Sequence, residues 1–298
     1  MMKPQTDLNI KKPNIFLDHS VFNKAALLSV AFLIPFPTKV YADSPDASHY
    51  AFANYMGTGL YRTSGQNASV LNVPFSFLLD EADDHNLYLR MPLSLGFFNY
   101  SFDDLPSGEL PESVGTMTLS PGIEYHWFVN EQATLESYVD LGYGHNFTNS
   151  SSVGIFSTGT SLVYEFEQDT YSPIWVNRLY YAAYRSSLND SSDSFAVFQS
   201  GVDVGLGIDW QWGNQTIEPR VFVSGRWFFD TLTFINPNPN EEDISTNQTY
   251  EVGATLKFSK PLGWEVFGWD GMMVDRLGLS YQNGGGLEAW RLIFSFPI

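Results

Sequence analysis

The sequence predicts an all-β chain that folds as a transmembrane antiparallel β-barrel of about twelve strands. Three observations predict this fold. Segments long enough to cross a bilayer alternate apolar and polar residues, short turns alternate with longer polar connections, and both signs of charge share the polar face. No stretch after residue 42 is apolar enough to cross a membrane as a helix, so only strands can do so.

The N-terminal stretch indicates export. Lys24 precedes the apolar run 25–36, and a small-residue exit follows at Ala42, which is the pattern of a secretory signal. A membrane anchor is the alternative interpretation, but the run is shorter than the ~20 residues that a spanning helix needs. We therefore expect a signal peptide over 1–42 and a mature barrel over 43–298, located in the outer membrane.

Composition excludes several classes of function. The chain of 298 residues has a formal charge of −18 and no cysteine, so it has no disulfide framework, no thiolate metal site and no cysteine nucleophile. No cluster of Lys and Arg is present, and this argues against a nucleic-acid partner. The aromatic fraction of 16% is high for so acidic a chain, because disordered acidic chains are poor in aromatic residues.

Turn signals divide the chain into about twelve strands, and an even number brings both ends to the same side of the barrel. The predicted strands are 51–62, 69–79, 87–100, 114–128, 133–146, 153–167, 171–186, 194–212, 215–231, 248–260, 272–282 and 287–298. The short connections are 80–85, 130–132, 168–170, 213–214 and 260–263. Short turns on one side and longer polar loops on the other are typical of outer-membrane barrels.

The stretch SGVDVGLGIDWQW, residues 200–212, illustrates the alternation. Its even positions are apolar from Val202 to Trp212, whereas its odd positions are glycines, carboxylates and Gln211. If Gly213 and Asn214 form a two-residue turn, Trp212 lies opposite Gln215. The apolar face of the next strand then consists of Ile217, Val221, Val223, Trp227 and Phe229.

The opposite face carries a predicted network of charges inside the barrel. Its members are Asp203, Asp209, Glu218, Arg220, Arg226, Glu251, Lys257, Arg276 and Arg291. Further strands place Arg90, Glu124, His126, Glu136, Asp140 and Glu165 on the same polar parity. Because confined charges need partners, we expect cross-strand ion pairs that narrow the bore, with Asp209 and Arg220 as diagonal neighbours.

The C-terminal stretch WRLIFSFPI predicts an insertion signal. Its alternate positions are Trp290, Leu292, Phe294, Phe296 and Ile298. This pattern resembles the C-terminal signature that the barrel-insertion machinery of Gram-negative bacteria reads, although the family pattern usually ends in Phe or Trp. Together with VDRLGLSYQNGGG, residues 274–286, it resembles an autotransporter β-domain, and more narrowly the solitary barrels that lack a passenger.

The resemblance implies an integral outer-membrane barrel in contact with outer-membrane lipid, lipopolysaccharide and the insertion machinery. The predicted role is a structural or interaction barrel with a constricted, charged lumen. A narrow channel for small solutes or ions is the alternative, and a hydrolase at the rim is a further one.

The rim hydrolase would use His145 with the neighbouring serines and asparagines. No spacing ties a serine to His145, and Asp84 and His85, which resemble the acid–histidine pair of outer-membrane proteases, fall in a turn on the periplasmic side. Acidic stretches such as DEADDH, residues 80–85, lack the spacing of a Ca²⁺ loop. The sequence therefore predicts no enzyme, no catalytic residue, no cofactor and no metal site.

Overall fold

The computed structural model describes residues 58–62, 67–98, 116–147, 150, 152–168, 170–186, 192–234, 244–266 and 269–298. All of them belong to one unit, Tyr41–Ile298. The predicted signal peptide, 1–42, lies outside the described residues. Within those residues no helix is long and apolar enough to cross a membrane.

Fourteen strands lie in the described ranges. They are β1 (Gly59–Arg62), β2 (Asn67–Glu81), β3 (His85–Phe98), β4 (Thr116–Leu119), β5 (Gly122–Phe128), β6 (Ala133–Asn146), β7 (Ser152–Glu165), β8 (Ile174–Ser186), β9 (Ser192–Gly205), β10 (Trp210–Trp212), β11 (Gln215–Phe234), β12 (Ile244–Val266), β13 (Trp269–Gly284) and β14 (Leu287–Ile293). Each pairs antiparallel with its neighbours, as alternating apolar and polar strands joined by short turns should.

The strands close into a barrel. β14 pairs with β1, where Arg291 lies opposite Gly59, and β9 pairs with β11. β4 and β5 share one position in the wall, and the strand is interrupted at Pro121 because proline cannot donate a ladder hydrogen bond. β9 and β10 share another position. The fourteen strands therefore occupy twelve positions around the wall, and we call each position a stave. The predicted closed, twelve-strand antiparallel barrel is confirmed.

The two ends of the barrel differ. The short turns after β2, β5 and β10 lie at the end where β1 begins and β14 ends, which we call the turn end. The longer connections after β3, β6, β8 and β11 lie at the opposite end, the loop end. These connections follow the predicted alternation, but the connection after β7 has eight residues at the turn end and the one after β13 has two at the loop end.

The predicted boundary after the tenth strand is wrong. The sequence predicts a turn at 260–263, but β12 continues to Val266 and β13 begins at Trp269. The pairing of β12 with β13 shifts between Lys257 and Leu262 instead. A β-bulge accommodates proline and leaves the strand to continue, so KPLG is an irregularity within a strand and not its end.

The barrel is apolar outside and polar inside. Leu141, Val223 and Phe229 expose 65%, 56% and 67% of their surface, whereas Asp203 and Glu251 expose 0% and 1%. The predicted outward face of β11 is confirmed for Val221, Val223, Trp227 and Phe229, all exposed. Ile217 differs, because Phe258 and Val274 cover it in an apolar cluster.

We predict that Val223→Arg destabilises the folded barrel in lipid by about 2 to 4 kcal/mol, because an arginine at mid-strand on the outer face would sit in the hydrocarbon layer. Val129→Arg is the matched control, since Val129 lies exposed in the turn after β5 and its arginine would reach water. Urea unfolding in lipid vesicles measures both. Equal losses of unfolding free energy in the two variants would contradict the assignment of the outer face.

Candidate functional site

A fully buried carboxylate joins three strands on the inner side of the wall. Asp203 on β9 exposes none of its surface, and its Oδ2 accepts hydrogen bonds from Arg220 Nε at 2.7 Å and Arg276 Nη1 at 2.6 Å. Arg220 lies on the neighbouring stave β11, and Arg276 lies on β13, beyond β12. The strand pleat points all three side chains inward, so two cations share one acid.

The Arg220 guanidinium also contacts a second acid and a serine. It pairs with Glu218, and its Nη1 and Nη2 donate to Ser172 Oγ at 2.9 Å and to the Ser172 carbonyl at 2.7 Å. Gly205 lies directly opposite Arg220, and a Cβ there would fall 2.2 Å from Glu218 Oε1. A glycine at this position therefore leaves the room that the two charged side chains occupy.

A second buried carboxylate has the same arrangement. Glu251 on β12 exposes 1% of its surface, and its Oε2 accepts from Arg226 Nη2 at 2.9 Å and from Arg291 Nη1. Its Oε1 accepts from Ser280 Oγ at 2.6 Å. These partners lie on β11, β14 and β13, so this cluster reaches the stave that closes the barrel.

A third charged cluster lines the opposite wall and is less deeply buried. Arg90 Nη1 lies 3.1 Å from Glu124 Oε2, Arg90 Nε lies 3.4 Å from Asp140 Oδ1, and the guanidinium stacks 4.2 Å over the Tyr138 ring. Glu124 Oε1 lies 2.9 Å from His126 Nε2. This wall borders a cavity of about 670 Å³ inside the barrel.

An apolar cluster near the turn end borders the cavity. After β14 the chain turns inward, and Phe296 and Ile298 pack against Ile174, Val176 and Phe222. Ile298 exposes 2% of its surface, and the Arg276 guanidinium lies 4.7 Å from the centre of the Phe296 ring. The last described residues thus fill part of the lumen.

This placement corrects the predicted strand 287–298, in which the five alternate positions from Trp290 to Ile298 would share one face. Trp290 and Leu292 are exposed, 49% and 48%, but β14 ends at Ile293 and the strand alternation ends with it. Phe294 is half-buried against the Ile217 cluster, and Phe296 and Ile298 lie inside. The predicted role of the stretch as an insertion signal stays a prediction.

The structure places the nine predicted lumen charges unequally. Seven of them, Asp203, Glu218, Arg220, Arg226, Glu251, Arg276 and Arg291, belong to the two buried clusters. Lys257 is half-buried and borders the cavity, opposite Glu218 on β11 and Arg276 on β13.

Asp209 is the exception, and its predicted diagonal contact with Arg220 is wrong. Trp212 does lie opposite Gln215, as predicted, but residues 206–209 leave the strand, with Gly207 at a φ of +67°. Arg220 therefore lies opposite Gly205 and contacts Asp203, while Asp209 is exposed. The residue pairing that the turn at 213–214 sets therefore does not continue past this irregularity.

Two serines complete the clusters and have no signal in the sequence. Ser172 lies in the connection between β7 and β8 and reaches Arg220, while Ser280 reaches Glu251 from the neighbouring strand. Serines are abundant in this chain, so their type and spacing do not single these out. Only the three-dimensional path of the chain does.

The histidines of the alternative hydrolase and protease readings lie apart from the lumen clusters. His145 lies opposite Ser152 on β7, and its ring meets the edge of Phe147 at 5.0 Å. His85 lies at the turn end, 2.8 Å from Asp84 and 3.2 Å from Asp80.

No family model matches the chain, and no curated protein matches it. Among solved structures, the chain is similar to the crystal structure of the β domain of the Bordetella autotransporter BrkA. The two are 12% identical, with a TM-score of 0.42, over 80% of this chain and 96% of that chain. The closed barrel described above rests on its own strand pairing and not on this likeness.

We predict that Asp203→Ala lowers the unfolding free energy by about 3 to 5 kcal/mol, because it leaves Arg220 and Arg276 buried without their shared acid. The matched control is Asp209→Ala, which removes the same group at an exposed position and should change stability by less than about 0.5 kcal/mol. Equilibrium unfolding in detergent or lipid measures both. A loss in Asp203→Ala as small as in the control would contradict a stabilising role of the cluster.

Proposed function

We propose that the chain is an integral outer-membrane barrel with a constricted, charged lumen, similar to an autotransporter translocator domain. In this proposal it acts as a structural or interaction barrel, and its turn end faces the periplasm. It is not an enzyme.

The outer surface supports the location in a membrane. Large apolar side chains are exposed around the wall, whereas charged ones are buried inside, the reverse of a water-soluble sandwich. Trp210 and Trp212 are exposed, 51% and 75%, near the turn end, and Trp227 is exposed, 39%, towards the loop end. Aromatic residues at both heights match the two interfacial girdles of membrane barrels.

The ion pairs on the inner side of the wall are the observation that supports the proposed role. The Asp203 and Glu251 clusters join β9, β11, β12, β13 and β14 from the inside, and the inward segment 294–298 packs below them. A twelve-strand barrel is narrow enough for side chains to occupy much of its bore. In this proposal the charged side chains and the inward segment narrow the bore and leave little room for a permeating ion.

The cavity favours the second candidate, a narrow channel. It holds about 670 Å³ and is bordered by acids, arginines, His126 and Lys257, so water and small ions fit within it. A channel needs this space to continue past Phe296 and Ile298 at the turn end. The two candidates therefore differ in what the inward segment does.

We predict that the mature protein begins near Asp43 and is recovered with the outer membrane. A secretory signal directs export, and an apolar outer surface holds the folded barrel in lipid. Fractionation of the bacterial envelope followed by N-terminal sequencing measures both properties. Recovery in the soluble periplasmic fraction would contradict the proposed location.

We predict that the purified protein conducts little in a planar bilayer, and that Phe296→Ala/Ile298→Ala raises the conductance several-fold. The double substitution removes apolar bulk that borders the cavity near the turn end and that, in this proposal, restricts passage. Leu292→Ala is the matched control, because Leu292 is exposed on the outer face of β14. A wild-type protein with large, steady conductance that the double substitution leaves unchanged would favour the channel.

A further inference from the structure

We propose that Glu124, His126 and Glu136 bind one divalent transition-metal ion in the lumen cavity. The sequence predicts no metal site, and the proposed function above does not require one. The inference rests on the geometry of one wall of the cavity and on a buried oxygen beside it. It therefore stands or fails separately from the conductance and the location of the barrel.

The pairing of β5 with β6 brings the three side chains together. His126 lies directly opposite Glu136, and Glu124 is two residues before His126, so all three share the inner face. Their potential ligand atoms all lie within 4.8 Å of one another. One imidazole nitrogen and two carboxylates are donors that zinc and its neighbours in the first transition row accept.

The arginines of this wall leave carboxylate oxygens available to a metal ion. The Glu136 carboxylate is 4.0 Å from Arg178 Nη2, and Arg178 Nε donates instead to Ser161 Oγ at 2.8 Å. Glu124 gives one oxygen to Arg90 and the other to His126. Arg90 also lies 3.4 Å from Asp140, so it keeps an acidic partner when Glu124 turns towards a metal ion.

A buried oxygen without a hydrogen-bond partner lies on the strand next to this cluster. Asn86 on β3 lies directly opposite His126, on the other flank from Glu136. Its Nδ2 donates to Tyr88 Oη at 3.1 Å, but its Oδ1 is buried and has no hydrogen-bond partner among the described residues. A buried acceptor without a donor is costly, and a cation or its bound water would satisfy it.

The site is accessible from the cavity. Glu124, His126 and Glu136 all border the space of about 670 Å³, so a hydrated ion can approach the three ligands without an opening of the wall. The wall has three carboxylates and two arginines: Glu124, Glu136 and Asp140 against Arg90 and Arg178. The net charge of these groups is therefore negative when His126 is neutral. That excess favours a divalent cation over an anion.

The test is a calorimetric titration of ZnCl₂ into the untagged, mature protein in detergent. We expect one saturable Zn²⁺ site, and we expect His126→Ala and Glu136→Gln each to weaken Zn²⁺ binding at least about tenfold. Absence of saturable binding to the wild-type protein would overturn the proposal. A second measurement, the visible absorption of bound Co²⁺ in the wild-type protein, reports the ligand field without any substitution.

Matched control variants separate this site from other acids and histidines. His145→Ala removes a histidine near the loop end, and Glu131→Gln removes an exposed acid in the turn after β5. Both should bind Zn²⁺ as the wild-type protein does, and the mobility of unheated samples in SDS gels verifies that every variant is folded. Equal loss of Zn²⁺ affinity in a control would overturn the assignment of the site.

Discussion

The wall depends on the pairing of arginines with two acids that have no contact with solvent. Asp203 and Glu251 each accept hydrogen bonds from two arginines on different staves, so each acid fixes the relative height of strands that are not all neighbours. A slip of one residue would turn every side chain of a strand to the opposite face. It would expose an arginine to the apolar exterior and leave its acid alone inside.

This constraint explains why the sequence predicts which face of a strand a residue occupies better than it predicts the residue's cross-strand partner. Extending the turn at 213–214 places Arg220 opposite residue 207, but the structure places it opposite Gly205, a shift of two positions. A shift of two keeps the inward and outward faces, because strand side chains alternate with a period of two. The predicted inner parity of Asp203 and Arg220 therefore holds, while Asp209 is exposed.

Features that depend on distant strands could not be predicted from local patterns. The bounds of β6, 133–146, follow from periodicity and turn signals alone. The inward turn after Ile293 does not, because the alternation of aromatic residues continues in the sequence after the strand has ended. Likewise, Glu124 and His126 have visible spacing, but their proximity to Glu136 and Asn86 requires the register of three strands.

The closing pair of strands affects how the barrel can assemble. β1 and β14 meet through only four residue pairs in the part of the chain that the structure describes, and these join the two ends of the barrel sequence. Such non-local contacts form slowly, since a long stretch of chain must be ordered before they do. Until then both strands have unpaired edges, which in other proteins recruit foreign strands. Within the described residues β1 makes four pairs with β14 and four with β2, so its two edges are the shortest junctions of the wall and the places where it can separate with the fewest broken ladder hydrogen bonds.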